Sequence, residues 1–223
     1  MTSATCSAGA VSGNPPWPLI NAHPTHGINA ALYVAKYVSF DYRTPNPEER
    51  RARRIAKELK VPTEEAIRIA APAMAALIDG PCWLVPVPAS DASLTANLTL
   101  ARAIVELVPG AHVKCAVARA HRVECSYHRR LRGLPGLTAE QHAIIRNTGP
   151  MQPLPLYFVD NVITTGTTTT ACRRALGWGA ALVYADGSTP YNTLCLLEPT
   201  GMGPNGNFLP AGSWDGRHQP RME

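Results

Sequence analysis

The stretch LYFVDNVITTGTTTTA, residues 156–171, constrains the fold more than any other part of this chain. Leu156 to Val159 read as a short buried strand, because apolar and aromatic residues bounded by a turn signal suit a sheet covered on both faces. Asp160 and Asn161 follow, and the next nine residues hold six threonines and Gly166. From Thr168 onward Ala171, Cys172, Ala175 and Leu176 fall at helical spacing, so the segment is predicted as strand, loop and helix. The loop then sits at a helix N-terminus, where backbone amides point outward and the helix dipole favours an anion. Thr164, Thr165, Thr167 and Thr168 add hydroxyl donors, and Gly166 lets the backbone approach closely. A phosphate group fits such a loop.

The same alternation runs through much of the chain. CWLVPVP (82–88) is predicted as a buried strand, Leu94, Leu98, Ala101, Val105 and Val108 as a helix stripe, and HVKCAVA (112–118) as a second strand. A short helix capped by Thr138, the strand at 156, the helix at 168 and a last strand, AALVYA (180–185), follow. Strands alternating with helices predict an α/β fold, a doubly wound parallel sheet that binds ligands at the carboxyl ends of its strands. The first third reads differently. Residues 1–27 are irregular, and 28–40 suit either helix or strand. Asn46, Pro47, Glu48 and Glu49 announce a helix over the basic run 43–60. Thr63 caps another, which Pro72 is expected to kink or split. This gives a mostly helical N-terminal region over 1–79, a core over 80–187 and a C-terminal extension over 188–223, irregular from Thr200 onward.

With 223 residues, 45% of them hydrophobic, the chain can bury one α/β core with elaborations. No stretch approaches the ~20 apolar residues that span a bilayer, and the N-terminus lacks the basic start and apolar centre of a secretory signal. A cytoplasmic protein without membrane contact is expected. The six cysteines form no CxxC pair and read as reduced, small apolar side chains. Cys115, His121, Cys125 and His128 could ligate zinc, but their spacing matches no common finger. The basic residues of 43–60 read as a solvated helix face ahead of a nucleic-acid footprint. A second basic cluster, Lys114 to Arg132, has one acid, Glu124, and little periodicity, and is expected to stay mobile until a ligand arrives. No GxxxxGK[ST] is present, which excludes a P-loop.

VDNVITTGTTTT resembles the phosphoribosyl-pyrophosphate loop of type I phosphoribosyltransferases, whose usual form is an apolar strand, two acids, two variable residues and a Thr-Thr-Gly-x-Thr run. LVPVPAS followed by NLTLARAI resembles the "VPVP … NQ … LAR" region of the ComF-like branch, and LTAEQHAIIRN (137–147) resembles the segment after that branch's mobile catalytic loop. The three occur in the expected order over roughly 80–187. The resemblance implies a sheet of the type I phosphoribosyltransferase kind. It also implies transfer of 5-phosphoribose from phosphoribosyl pyrophosphate to a nitrogenous base or related small-molecule acceptor, with Mg²⁺ and release of pyrophosphate. Carried over, it assigns Asp160 and Asn161 to the ribose hydroxyls, Thr164, Thr165, Gly166, Thr167 and Thr168 to the 5′-phosphate, and Pro88, Ala89 and Ser90 to the pyrophosphate. Asp160 is the residue nearest the metal. Arg119, Arg122, Arg129 and Arg130 are the candidates for catalytic loop arginines, which neutralise the leaving group and exclude water.

The sequence departs from that pattern in places. Asn161 replaces the second acid, Thr164 stands where 6-oxopurine enzymes carry an aspartate, and both the cysteine-rich segment and the arginines after "VPVP" are missing. Two further readings therefore stay open: a non-catalytic regulator that binds phosphoribosyl pyrophosphate or nucleotides, and a nucleic-acid-binding protein related to ComF-like competence proteins. A homodimer is compatible with each. The acceptor is not legible.

Overall fold

The structure, a computed structural model, describes residues 31–38 and 43–188. In chain order its elements are β1 (Ala31–Lys36), α1 (Pro47–Glu58), α2 (Glu64–Ala75), β2 (Trp83–Pro86), α3 (Thr95–Val105), β3 (His112–Val113), β4 (Val117–Arg119), α4 (Ser126–Leu131), β5 (Ile144–Arg146), β6 (Leu156–Ile163), α5 (Thr167–Leu176) and β7 (Ala180–Asp186). Five strands form a parallel sheet in the order β1-β7-β6-β2-β3, and β4 pairs antiparallel with β5 as a separate ribbon.

Alternation along the strands divides the core in two. Tyr157, Val159, Leu84 and Leu182 face α1, α2 and α3, which contribute Ile55, Met74, Leu100 and Ile104. Leu156, Phe158 and Val85 face the other way, against Cys172 and Leu176 of α5. Helices thus cover both faces, the arrangement of a Rossmann-like α/β sheet. At the entrance to β7, Gly179 adopts φ +126°, and a Cβ there would lie 2.6 Å from the Phe158 ring and 2.7 Å from Leu156. Only glycine lets α5 turn back so tightly onto the sheet.

Several expectations change in the structure. The apolar run at 28–40 supplies a strand, β1, which pairs with β7, while α1 and α2 pack into the same core as β2 and β6. The described part of the first third therefore holds one strand and two helices, and its packing is continuous with that of the later strands. At α1 the capping box forms as expected: Asn46 Oδ1 accepts from the Glu49 N–H at 2.8 Å, and a Glu49 carboxylate oxygen accepts from the Asn46 N–H at 2.9 Å. Pro72 does not split α2, because a proline removes a single i→i−4 bond and the turns on either side persist.

The strand expected over 112–118 is two pieces. After Val113 the chain turns at Lys114–Ala116, and β4 leaves the sheet to pair with β5. Thr138 and Gln141 do exchange the bonds of a cap, yet only a turn follows, since Ala143 takes φ +52° and stops the helix. β6 runs past Val159 to Ile163 because β7 continues alongside it. The expected N-terminal arm and the tail from Thr200 lie outside the described residues. Among the described residues no helix is long and apolar enough to cross a membrane.

Candidate functional site

The sheet order locates a crevice before any side chain is considered. From β2 the chain passes through α3 on one face to β3 on one side; from β6 it passes through α5 on the opposite face to β7 on the other side. The carboxyl ends of β2 and β6 are therefore a topological switch point, where two loops diverge and leave an opening. The loops are residues 87–94 and 164–166, the two that the sequence singled out.

Asp160 lies at this opening. β2 has already ended beside it, so the Asn161 N–H, which points toward β2, has no strand partner; the Asp160 carboxylate accepts it at 2.8 Å. The same oxygen accepts from the Asn97 amide at 3.1 Å, and that amide also donates to the Val87 carbonyl at 2.8 Å. Asn97, buried in the first turn of α3, thus ties the two loops together. Its role was not assigned from sequence; the signal was a polar residue on the apolar stripe of a helix. Burial pushes the Asp160 carboxyl up to about 6, against the lowering effect of these two hydrogen bonds and of the charges on Lys60 and Arg119. Below it, burial holds the Cys172 thiol up at about 12, so it packs as a neutral group.

Asn161 does not join Asp160. Its side chain points away and donates to the Ala56 carbonyl of α1 at 2.8 Å, with the residue buried. Adjacent strand residues face opposite ways, and the amide closes a backbone acceptor in the last turns of α1. The expectation that Asn161 contacts a ribose hydroxyl is therefore corrected: in this arrangement it is a structural tie.

At the other wall, Gly166 is the N-cap of α5 with φ +72°, and no side chain caps the helix. The left-handed backbone suits glycine; the Thr167 N–H donates to the Thr165 hydroxyl at 3.5 Å, and an N-cap without a side chain leaves the next first-turn N–H groups to a ligand. Around it the Thr165 and Thr167 hydroxyls lie 2.5 Å apart, and Thr170 back-bonds to the Gly166 carbonyl at 3.1 Å. Thr164 is exposed, while Thr165, Thr167 and Thr168 are half-buried. Thr164 to Thr168 thus run continuously from the end of β6 into the first turn of α5.

The facing loop is compact. Ala89 N–H donates to the Ser93 carbonyl, the Asp91 carboxylate accepts from the Ser93 N–H, and the Ser90 carbonyl accepts from Val123. Ala92 takes φ +71°, a conformation that costs an alanine about 1–2 kcal/mol. Arg119 crosses behind this loop: its Nε donates to the Pro88 and Ala89 carbonyls at 3.2 and 2.7 Å, and its Nη1 to the His142 carbonyl and toward His142 Nδ1. Burial lowers the Arg119 pKa, and burial together with Arg119 holds buried His142 down at about 4, so the imidazole is neutral. Arg119 is thus a half-buried cation bonded to carbonyls at the rim of the crevice.

The other three arginines are elsewhere. Arg129 donates to the Pro135 carbonyl and pairs with Glu124, which also pairs with Arg132; Arg130 lies over the Tyr127 ring at 5.9 Å; Arg122 is exposed. The expectation of four arginines converging on the site is corrected to one. So is the reason given for a mobile basic loop: Glu124 does pair with Arg129 and Arg132, although no residue of α4 is buried.

The described residues contain no group of three or more His, Cys, Asp or Glu that could hold a metal; Cys115, His121, Cys125 and His128 are not gathered. Asp160 could help hold Mg²⁺, through the carboxylate oxygen that Asn97 and Asn161 leave free. That fits an ion bound by one carboxylate plus substrate phosphates, the ordinary Mg²⁺ arrangement, and not a cage made by protein alone. A cavity of about 390 Å³ lined by Trp83, His112, Lys114 and Gln152 opens where β2 and β3 begin and shares no residue with the crevice. No family model, curated protein or solved structure matches the chain.

Proposed function

We propose that the chain is a phosphoribosyltransferase of the type I kind, using phosphoribosyl pyrophosphate and Mg²⁺ to transfer 5-phosphoribose to a small-molecule acceptor. One observation carries the reading: the uncapped start of α5 and its threonine hydroxyls stand across a topological switch point from a second loop, with a single carboxylate, Asp160, between them. The loop at Thr164–Thr168 takes the 5′-phosphate on backbone N–H and hydroxyl donors. Asp160 accepts from a ribose hydroxyl. Pro88, Ala89 and Ser90, braced by Arg119, form the pyrophosphate side. Mg²⁺ supplies charge neutralisation of the departing pyrophosphate. Asn97 keeps both walls at a fixed separation, which orients the donor without any nucleophilic side chain.

A second reading, a non-catalytic binder of the same ligand, is favoured by one observation: three of the four candidate loop arginines are drawn off to other partners or to solvent. Turnover separates the two. Incubation of the protein with Mg²⁺, phosphoribosyl pyrophosphate and a panel of bases is expected to release pyrophosphate with at least one base. Ligand binding without release under any base would establish the second reading, and no binding would remove both.

A further inference from the structure

The cavity at the other end of the sheet, where β2 and β3 begin, has a built wall and an unspent cation. Trp83 pairs with His112 in the parallel register, and the Lys114 N–H donates to the Leu84 carbonyl at 3.0 Å, so the pleat carries Trp83, His112 and Lys114 to one face. That face is the one α5 covers: Trp83 and Met151 both pack against the core of Phe158, Cys172 and Leu176. The opposite wall, Pro150 to Gln152, is irregular chain, yet it is tied down on both sides. Arg146 donates from Nε to the Thr148 carbonyl and from Nη2 to the Gly149 carbonyl, each at 3.0 Å. The Gln152 carbonyl accepts from the Trp83 indole N–H at 3.1 Å and from the Leu154 N–H at 2.8 Å, and the Pro155 carbonyl accepts from the Trp83 backbone N–H at 2.7 Å. The cavity of about 390 Å³ is therefore held in shape by the chain itself, as small-molecule sites usually are.

Its lining divides by chemistry. Trp83 is half-buried and its indole is fixed in orientation by the bond to Gln152, while the His112 ring meets it at 45° with centroids 5.3 Å apart. With Met151 beside them these rings offer the flat, polarisable surface on which a planar ring stacks. The Lys114 ammonium and the Gln152 side-chain amide make no hydrogen bond or ion pair among the described residues, and no acid lines the cavity. A cation thus stands next to the stacking surface with its charge uncompensated.

We propose that this cavity is a second binding site, for a small molecule that joins a planar aromatic ring to an anionic group, with the ring against Trp83 and His112 and the anion at Lys114. Two sources share that chemistry, a nucleoside monophosphate and a fused-ring aromatic carboxylate, and a lysine, as a flexible point charge, serves either. The inference does not rest on phosphoribosyl transfer, because the cavity and the crevice have no residue in common.

The test is titration of the full chain with adenosine 5′-monophosphate and with 2-naphthoate, on the wild type, Lys114→Glu, Lys114→Arg and Asp160→Asn. At least one probe is expected to bind the wild type, to lose at least about fivefold in affinity in Lys114→Glu, and to keep most of its affinity in Lys114→Arg. Asp160→Asn should bind it as the wild type does. Whichever probe depends on Lys114 identifies the source of the anion. The Trp83 indole N–H resonance, identified by its loss in Trp83→Phe, is expected to move with that same probe. Binding of neither probe to the wild type, or unchanged affinity for both in Lys114→Glu, would overturn the proposal. So would nucleotide binding that disappears in Asp160→Asn and survives in Lys114→Glu, which would belong to the crevice. Binding that needs Lys114 and not Asp160, in a protein that ignores phosphoribosyl pyrophosphate, would remove the transferase reading and leave the second site standing.

Discussion

The crevice between β2 and β6 and the segment around α4 both hold arginine, yet they treat the same side chain in opposite ways. In the crevice Arg119 is half-buried, bonded to the carbonyls of Pro88, Ala89 and His142, and its charge is felt by Asp160. Around α4 Arg129 and Arg132 share Glu124, Arg130 covers Tyr127, and Tyr127 and Leu131 stay exposed. The partner, more than residue type, decides which cation can act on a ligand: Arg119 bonds only to neutral acceptors, whereas Arg129 and Arg132 are neutralised by Glu124. A desolvated charge interacts strongly with whatever enters, whereas an exposed ion pair is screened and contributes little.

The largest effect should separate the two regions directly. Arg119→Met removes the donors to three carbonyls and is expected to lower the unfolding free energy by about 2–4 kcal/mol. Arg122→Ala and Arg130→Ala are expected to change it by no more than about 0.5 kcal/mol. Denaturant unfolding of the three variants checks this, and equal effects at all three would erase the contrast.

Asp160 sharpens the comparison, because its contributions to stability and to binding should have opposite signs. Its carboxyl, pushed up to about 6 mainly by burial, has a folded-state pKa above the unfolded value of about 3.9. The protonated form therefore suits the fold better, and its stabilising contribution is full below about pH 4 and lost as pH rises through about 6. His142 acts the other way. Its pKa is held down at about 4 from an unfolded value of about 6.5, so its contribution is full above about pH 6.5 and lost as pH falls toward 4. The two oppose each other in the wild type, and Asp160→Asn exposes the difference. At pH 8 this variant should be more stable by about 1–3 kcal/mol, with the gain vanishing by pH 4. It should also bind phosphoribosyl pyrophosphate more weakly by about 1.5–3 kcal/mol. Thermal melts across pH, with and without ligand, read both.

Asn161→Asp would restore the acidic pair usual in the resembled family, but here a carboxylate cannot donate to the buried Ala56 carbonyl. A loss of about 1–3 kcal/mol in stability is expected, with no gain in affinity. Tighter binding in this variant would mean that the side chain leaves α1 for the ligand. The smallest effect is at Ala92, where glycine relieves the left-handed backbone and should stabilise the protein by about 0.5–1 kcal/mol.

Most of the sheet was legible in the sequence because the signals were local. Four runs of apolar residues marked β2, the start of β3, β6 and β7, and the Thr-Gly loop marked the entrance to α5. β1 was ambiguous, since a short apolar run has no helical or strand period of its own until a partner, β7, accepts it. The resemblance assigned Asp160 and Asn161 together to the ribose hydroxyls, and strand alternation together with the carbonyl of Ala56 separates them. Asn97 was hidden for a related reason: it matters through Asp160, a residue 63 positions away that sequence order does not bring near.

The proposed function requires that the crevice bind phosphoribosyl pyrophosphate. The most direct measurement is calorimetric titration of that ligand with Mg²⁺ into the wild type and Asp160→Asn at pH 7.5. Saturable one-to-one binding to the wild type is expected, weakened at least tenfold in the variant, the lower end of the range for a hydrogen bond to a charged group. No heat from the wild type, or equal affinity in both proteins, would contradict it.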